Sequence, residues 1–362
     1  MRKQLWTRLT AAALAALLTA ALPTGISAAA QEDTAPPVEE TPLTEILPAE
    51  PQSPQETPDE PDTPSAEEPT PVPQEIPLTE ILPAESLAQA TAENAAGAEV
   101  PYLDEDGAPQ SAPSATPVTD NDTAWDDGWY VAQDSITIHS RVTVSGDVRL
   151  ILADGCELTI DGGIQVAYPN SLTIYGQSEG SGRLTATALP TDYNAGIGGT
   201  VYSSTGNIVI NGGTVTATGG DASAGIGGGP AASGGNIVIN GGTVTATGGE
   251  SGAGIGGGMQ CAGGSVTING GDVTASGGAQ AAGIGSGAYG STSGDSNVSV
   301  LIHGGTVTAT GGEQGAGIGD GMADENMPAK VASITITGGT VTAKGGDQGK
   351  DRQSAAGIGG GA

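Results

Sequence analysis

Short segments in which apolar and polar residues alternate strictly recur along the second half of the chain. One segment reads Asn-Ile-Val-Ile at Asn207–Ile210, and another reads Thr-Val-Thr-Ala-Thr at Thr214–Thr218. Successive side chains of a β-strand point to opposite faces, so the alternation predicts short strands that bury isoleucine and valine and expose threonine. Gly-Gly pairs separate the segments and allow the positive φ angles of sharp corners.

The strand segments belong to a repeat that also contains the phrase Ala-Gly-Ile-Gly. Its isoleucine falls at Ile197, Ile226, Ile255, Ile284, Ile318 and Ile358, with spacings of 29, 29, 29, 34 and 40 residues. A recurring period of short strands is typical of solenoids, in which each unit buries its apolar face against its neighbours. Three short strands in each repeat predict an all-β fold, a parallel β-helix (solenoid) whose turns stack about 4.7–4.9 Å apart.

Asparagine precedes the Gly-Gly pair in three consecutive repeats, at Asn211, Asn240 and Asn269. Stacked asparagines at a corner can hydrogen-bond to one another, so we expect them to form a ladder. His303 and Thr337 occupy the same position in the next two repeats, where we expect the ladder to change.

The Gly-rich repeats occupy residues 191–362. Residues 124–190 are predicted to form an N-terminal cap and irregular first turns of the same β-helix, because short alternating segments at 158–160 and 172–174 also read as strands. The last repeat breaks off at residues 359–362, so we expect a sequence truncated at its C-terminus.

Two segments precede the predicted β-helix. Residues 1–30 combine three early cations, an apolar run at 11–22 and three alanines at 28–30, the pattern of a secretory signal peptide. Residues 31–123 hold 18 of the 23 prolines and contain no lysine or arginine. Such a segment cannot bury enough apolar surface to offset its chain entropy, so we expect a disordered acidic Pro/Glu-rich stalk. The protein is expected to be secreted, extracellular or cell-wall associated, without a membrane span.

The formal net charge is -31 at pH 7, which argues against nucleic acids and anionic membranes as partners. Two cysteines, Cys156 and Cys261, are too few for a disulfide scaffold, and their different places in the repeat argue against a bridge. We expect a monomer.

Candidate catalytic groups are sparse along the chain. The two histidines are His139 and His303, and the acidic residues of the repeats are scattered rather than paired. Glycoside hydrolysis needs two carboxylates at a defined separation. The sequence therefore predicts no catalytic residues and no enzyme, and a polysaccharide-degrading β-helix lyase or hydrolase stays as the alternative.

Four aromatic residues are candidates for carbohydrate binding: Trp125, Trp129 and Tyr130 before the first strands, and Tyr289 in a longer loop of a repeat. Aromatic rings with a polar edge offer apolar surface to a sugar. The first three can instead form the cap that the open end of a solenoid requires. Both interpretations stay open.

Insertions in the later repeats all flank the Ala-Gly-Ile-Gly phrase. Such loops either form a binding face or are exposed loops that vary in sequence and length without a role in binding. One insertion contains four hard oxygen donors of the kind that calcium prefers: Asp320, Asp324, Glu325 and Asn326. The loop lacks the spacing of an EF-hand. We expect no cofactor, with calcium at these four residues as the one candidate.

The run from Arg141 to Cys156, the segment Ser171–Gly176 and the Ala-Gly-Ile-Gly-Gly repeats together resemble a family of secreted Gram-positive β-helix repeat proteins. Members are described as carbohydrate-binding-domain or adhesin-like surface proteins. The resemblance covers residues 129–362 and implies a parallel β-helix that contacts polysaccharide or a host or cell-wall glycan, but it implies no particular binding residues. We therefore expect a non-enzymatic secreted or cell-surface protein that binds carbohydrate or acts as an adhesin. A purely structural surface module is a further alternative.

Overall fold

The computed structural model describes residues 99–261, 263–290, 298–323, 333–347 and 354–362. The described chain forms strands β1 to β28 and coils so that each full turn adds one strand to each of three parallel sheets. The predicted all-β fold, a parallel β-helix, is confirmed. The predicted signal peptide and most of the predicted stalk lie outside the described residues.

Along the described chain, the three sheets are built as follows. Sheet I contains β3 (Thr116–Pro117), β5 (Gly128–Ala132), β8 (Asp147–Leu152), β11 (Ser171–Gly176), β14 (Asn207–Ile210), β17 (Asn236–Ile239), β20 (Ser265–Ile268), β23 (Ser299–Ile302) and β26 (Ser333–Ile336). Sheet II contains β6 (Ser135–Ile138), β9 (Glu157–Asp161), β12 (Arg183–Thr187), β15 (Thr214–Thr218), β18 (Thr243–Thr247), β21 (Asp272–Ser276), β24 (Thr306–Thr310) and β27 (Thr340–Lys344). Sheet III contains β4 (Ala124–Trp125), β7 (Val142–Val144), β10 (Ile164–Gln165), β13 (Ile197–Gly198), β16 (Ile226–Gly227), β19 (Ile255–Gly256), β22 (Ile284–Gly285), β25 (Ile318–Gly319) and β28 (Ile358–Gly359).

Equivalent residues of successive repeats lie side by side in these sheets. Ile208 of β14 pairs with Ile237 of β17, and Ala217 of β15 pairs with Ala246 of β18. The strands bury every second residue: in β14 both isoleucines point inward and Val209 points outward, and in β15 valine and alanine point inward and threonine points outward. The inward side chains form one continuous core along the axis, because each turn covers the apolar edge of the next.

The predicted asparagine ladder is present at the corner between sheets I and II. The Asn240 side chain donates through Nδ2 to Asn211 Oδ1 at 2.7 Å, and Asn269 donates in the same way to Asn240 at 2.7 Å. In the following turns the ladder changes, and His303 Nδ1 lies 2.7 Å from Thr337 Oγ1. The ladder position therefore keeps a polar contact between turns where histidine and threonine replace asparagine.

From β13 onward, glycine stands on both sides of each isoleucine of sheet III. Gly227 has a φ of +130°, and a Cβ added there would lie 2.0 Å from the carbonyl oxygen of Gly256 in the next turn. The turns can stack at this point only because no side chain stands between them. This close approach explains why the Ala-Gly-Ile-Gly phrase returns in every repeat.

The boundary predicted at residue 123 for the disordered stalk is wrong. β1 (Val100–Leu103) and β2 (Pro109–Ala112) form an antiparallel hairpin, and β3 pairs in parallel with β5 of sheet I. The hairpin packs on sheet I through Val100 and Ala112, which are buried against Ile151. The folded part of the chain therefore begins no later than Glu99, although the composition of residues 99–123 resembles that of the residues before them.

Both cysteines are buried thiols, and they form no disulfide with each other. Burial raises the pKa of the Cys156 thiol, and it raises the pKa of Cys261 to about 12. Within the described ranges the structure holds no helix with the length and apolarity needed to cross a membrane.

Candidate functional site

The structure separates the aromatic residues that lie close together in sequence. Trp125 is 0% exposed and packs in the main core, where its ring centroid lies 5.7 Å from that of Tyr130. The Trp125 indole donates to Asp122 Oδ2 at 2.9 Å, and the Tyr130 hydroxyl accepts from the backbone N–H of Asp126 at 2.9 Å. Trp125 therefore belongs to the cap and core and is not available to a ligand, and half-buried Tyr130 packs against the same core.

Trp129 lies on the opposite, outer face of β5 and belongs to a different cluster. Its ring centroid lies 4.8 Å from that of Tyr102 in the hairpin and 5.3 Å from that of Tyr175 in β11. Tyr102 and Tyr175 are also in contact, with centroids 4.7 Å apart, and the Arg149 guanidinium lies 5.6 Å from the Trp129 ring. We call Tyr102, Trp129 and Tyr175 the outer aromatic cluster, and all three are half-buried.

The sequence reasoning missed Tyr102 and Tyr175. Tyr175 could have been found, because it occupies an outward position of an alternating strand, two turns after β5 and, through Ile151, in register with Val131, two residues beyond Trp129. Tyr102 had no such signal, since it lies in a Pro-containing segment assigned to the stalk. Burial raises the pKa of the Tyr175 hydroxyl, so this group is neutral at pH 7 and can donate a hydrogen bond.

Polar contacts stabilise the turn of the hairpin and tie its first strand to the corner that follows β11. In its turn, the Asp104 carboxylate accepts from the Gln110 side chain at 2.9 Å and from the Ala108 backbone at 2.8 Å. The Gln177 side chain donates to the Pro101 carbonyl at 2.8 Å and accepts from the Asp154 backbone at 2.9 Å. These bonds fix the hairpin beside the corner that follows β11.

A groove of about 240 Å³ opens at this corner. The corner after β11 spans residues 177–182, whereas the corner after β14 spans only residues 211–213, so the longer corner projects and forms a wall. The hairpin supplies a second wall, and glycine backbone forms the floor. The lining residues are Leu103, Gly107, Gly176, Gln177, Ser178, Glu179, Gly180, Asn211, Gly212, Gly213, Gly242 and Thr243.

Two polar side chains give the groove its chemistry. Asn211 stands at the start of the asparagine ladder, so its Oδ1 accepts from Asn240 while its Nδ2 has no partner in the described part of the chain. The Glu179 carboxylate likewise has no hydrogen-bond partner among the described residues, although its backbone N–H donates to Asp154 at 3.0 Å. Bonds along a ladder polarise one another, so the Asn211 N–H groups are strengthened as donors. The groove thus offers donors and an acceptor on neighbouring corners.

Tyr289 lies elsewhere, at the corner between sheets III and I. It is half-buried, has a φ of +58°, and its backbone N–H donates to Met322 at 2.7 Å. The structure therefore does not bring Tyr289 into the outer aromatic cluster with Trp129.

The calcium candidates are only partly described. Asp320 is 0% exposed, with Oδ1 3.5 Å from the Ser286 hydroxyl, which in turn accepts from the Gly321 backbone at 3.0 Å. Asp324, Glu325 and Asn326 lie outside the described residues. In the part of the chain that is described, no three His, Cys, Asp or Glu side chains come together as a metal site.

Comparison with known proteins identifies the repeat and nothing beyond it. A family model described as "Beta helix repeat" matches five segments, at residues 208–230, 237–259, 266–288, 300–322 and 334–362. No curated protein and no solved structure matches the chain. Each matched segment begins within a strand of sheet I and runs through the Ala-Gly-Ile-Gly phrase, so the family repeat and the structural turn coincide. The chain therefore contains five β-helix repeats, within residues 208–362.

Proposed function

We propose that this is a non-enzymatic, secreted or cell-surface protein that binds neutral carbohydrate in the groove beside the outer aromatic cluster. The observation that carries the proposal is the pair of side chains in the groove, Asn211 Nδ2 and the Glu179 carboxylate, which have no partner among the described residues. A sugar hydroxyl donates and accepts at once, so each hydroxyl can use both groups.

The position of the outer aromatic cluster supports the same ligand. Leu103 and Gly176, which line the groove, are chain neighbours of Tyr102 and Tyr175, so the outer aromatic cluster lies one residue along the chain from the groove, although its rings are not among the lining residues. Ligand sites combine apolar surface with a few convergent polar groups. The half-exposed rings supply surface for the C–H face of a sugar, while the corner supplies the hydrogen bonds.

Charge favours a neutral glycan over an acidic one. The chain carries a formal charge of -31, and Glu179 places a carboxylate in the groove itself. A polyuronate or a sulfated glycan would be repelled during encounter and in the bound state.

The groove favours binding over hydrolysis. Glu179 is the sole carboxylate among the residues that line it, and glycoside hydrolysis uses a pair at a defined separation. Export and surface display rest on the pattern of residues 1–30.

The proposal is tested by screening the full-length chain against an array of neutral glycans. The array carries cello-, manno-, xylo- and malto-oligosaccharides, with polygalacturonate as the acidic probe. We expect saturable binding to a neutral series and none to polygalacturonate. The Glu179→Gln variant should lose most of the binding, because the amide is a weaker acceptor than the carboxylate.

Two further variants make the test specific. Asn211→Asp removes the N–H donors but keeps the oxygen that accepts from Asn240, so it should abolish binding without opening the ladder. Glu313→Gln removes an exposed carboxylate that does not line the groove and should bind normally. If both groove variants bind the glycan as tightly as the wild-type protein does, the ligand lies elsewhere. If the wild-type protein binds no neutral series, the proposed function is overturned.

A further inference from the structure

Two tyrosines are far more exposed than the rings of the outer aromatic cluster. Tyr168 is 76% exposed and Tyr202 is 83% exposed. Tyr168 lies in the loop from β10 to β11, and Tyr202 lies in the loop from β13 to β14, one turn later. The two loops touch, since the Tyr168 backbone N–H donates to the Ser204 carbonyl at 2.8 Å. The rings therefore stand at the same corner in adjacent turns.

The backbone displays Tyr202 in a conformation that side chains rarely adopt. Its φ is +59°, and it lies in a tight turn that is closed by a bond from Ser203 N–H to the Thr200 carbonyl at 3.1 Å. The equivalent residues of the next two turns, Ala231 and Gln260, have φ of +54° and +55°. The same corner conformation therefore recurs in successive turns, and at Tyr202 it carries an exposed ring.

The exposed tyrosines belong to the same two turns that build the groove. The turn with Tyr168 continues through β11 to Glu179, and the turn with Tyr202 continues through β14 to Asn211. From Gly206 to Asn211 the chain runs about 16 Å at ~3.3 Å per residue. The outer face of sheet I thus connects the tyrosine corner to the groove.

The side chains along that path suit a glycan. On β14 the exposed Asn207 is followed by the half-buried outward Val209, and on β11 Ser171 and Thr173 occupy the paired positions. Hydroxyl and amide groups therefore flank the Val209 side chain, and the Ser171 hydroxyl also donates to Asp147 Oδ1 at 2.6 Å. The groove alone, at about 240 Å³, is smaller than the 300–1,000 Å³ or so that a self-sufficient small-molecule pocket usually needs.

We propose that Tyr168 and Tyr202 form a second subsite, so that the protein binds an extended neutral glycan laid across β11 and β14. One end of the glycan occupies the groove and the other stacks on the two tyrosines. This inference rests on the proposed function of the groove. A disaccharide is too short to reach both subsites, whereas a hexasaccharide bridges them, and tethered contacts raise affinity without any change at either subsite.

The test is calorimetric titration of the full-length chain with the disaccharide and the hexasaccharide of the series that the array selects. We expect the hexasaccharide to bind at least about tenfold more tightly. Tyr168→Ala and Tyr202→Ala should each lower hexasaccharide affinity toward the disaccharide value and leave disaccharide affinity unchanged. Tyr193 is the matched control: it is 44% exposed and lies before β13, on the other side of the Ala-Gly-Ile-Gly turn, so Tyr193→Ala should change neither affinity.

The outcomes separate this inference from the function on which it rests. Equal affinity at the two lengths, or full hexasaccharide affinity in Tyr202→Ala, overturns the extended site and leaves the groove. Loss of affinity in Tyr193→Ala equal to that in Tyr202→Ala also overturns it. Absence of binding at both lengths overturns the groove and the extended site together.

Discussion

Replacement of Gly227 by alanine tests the close stacking of successive turns in sheet III. Gly227 has a φ of +130°, and its added Cβ would lie 2.0 Å from the Gly256 carbonyl oxygen and 2.9 Å from the Gly256 carbonyl carbon. Both atoms are backbone, so no side chain can swing away to relieve the overlap. One of the two turns has to move by about 1 Å to restore an ordinary contact.

The expected cost combines two terms. A non-glycine residue at this backbone conformation costs about 1–3 kcal/mol, and forcing extra volume into a close-packed stack costs about 1–3 kcal/mol more. Gly155→Ala approximates the first term, because Gly155 also has a positive φ, of +79°, and its added Cβ meets nothing within 4 Å. We therefore expect Gly227→Ala to lower the free energy of unfolding by about 4 kcal/mol and Gly155→Ala by about 1–2 kcal/mol.

The assay is urea unfolding of the full-length chain, followed by far-ultraviolet circular dichroism. The two variants should differ in midpoint, and Gly227→Ala should also broaden the transition, because a weakened interface divides a stack of repeats into separate units. Equal midpoints for Gly227→Ala and Gly155→Ala would refute the steric account of the Ala-Gly-Ile-Gly repeat.

Three further predictions concern the ladder, the thiols and the hairpin. Asn240→Ala removes two ladder bonds and should lower the free energy of unfolding by about 1–2 kcal/mol. Asn269→Ala removes one ladder bond and should cost roughly half as much. Equal costs in urea unfolding would argue against the ladder as a source of stability. Burial raises the pKa of Cys261 to about 12 and also raises that of Cys156. Both thiols should therefore resist alkylation at pH 8 in the folded chain and react in urea, as measured by mass spectrometry. Fast labelling of the folded chain would contradict this prediction. The pKa of Asp104 is lowered by its bond from Gln110 and by backbone bonds from Ala108 and Asp106, so its support of the hairpin is present above about pH 4 and is lost as the pH falls through the lower folded-state value. Trp129 fluorescence should report this loss below about pH 4, and an identical acid profile in Asp104→Asn would show that Asp104 has no part in it.

Local periodicity accounts for most of the repeat region. Strict alternation in β14 and β15 predicts which residues face the core, and recurrence at a fixed period predicts that Asn211 and Asn240 stack. Trp125 and Trp129 were harder to separate. They are four residues apart but lie on different strands, β4 and β5, and only the exact strand ends decide which ring enters the core.

The candidate site depends on contacts between residues that are distant in sequence. The groove exists because the corner at 177–182 projects beyond the corner at 211–213, and because the hairpin closes one side. Tyr102 reaches Tyr175 and Trp129 only after β1 and β2 pair and dock on sheet I. Composition averaged over residues 31–123 conceals that hairpin, since a few apolar side chains packing on a preformed sheet suffice to fold it.

Hydrogen–deuterium exchange of the full-length chain, with and without a saturating hexasaccharide from the neutral series that binds, tests the central claim most directly. The account predicts slower exchange at residues 176–180 and 211–213 of the groove and at residues 200–206 beside Tyr202, with no change along sheet II. Protection confined to sheet II or to the later repeats would contradict a carbohydrate site on the outer face of sheet I.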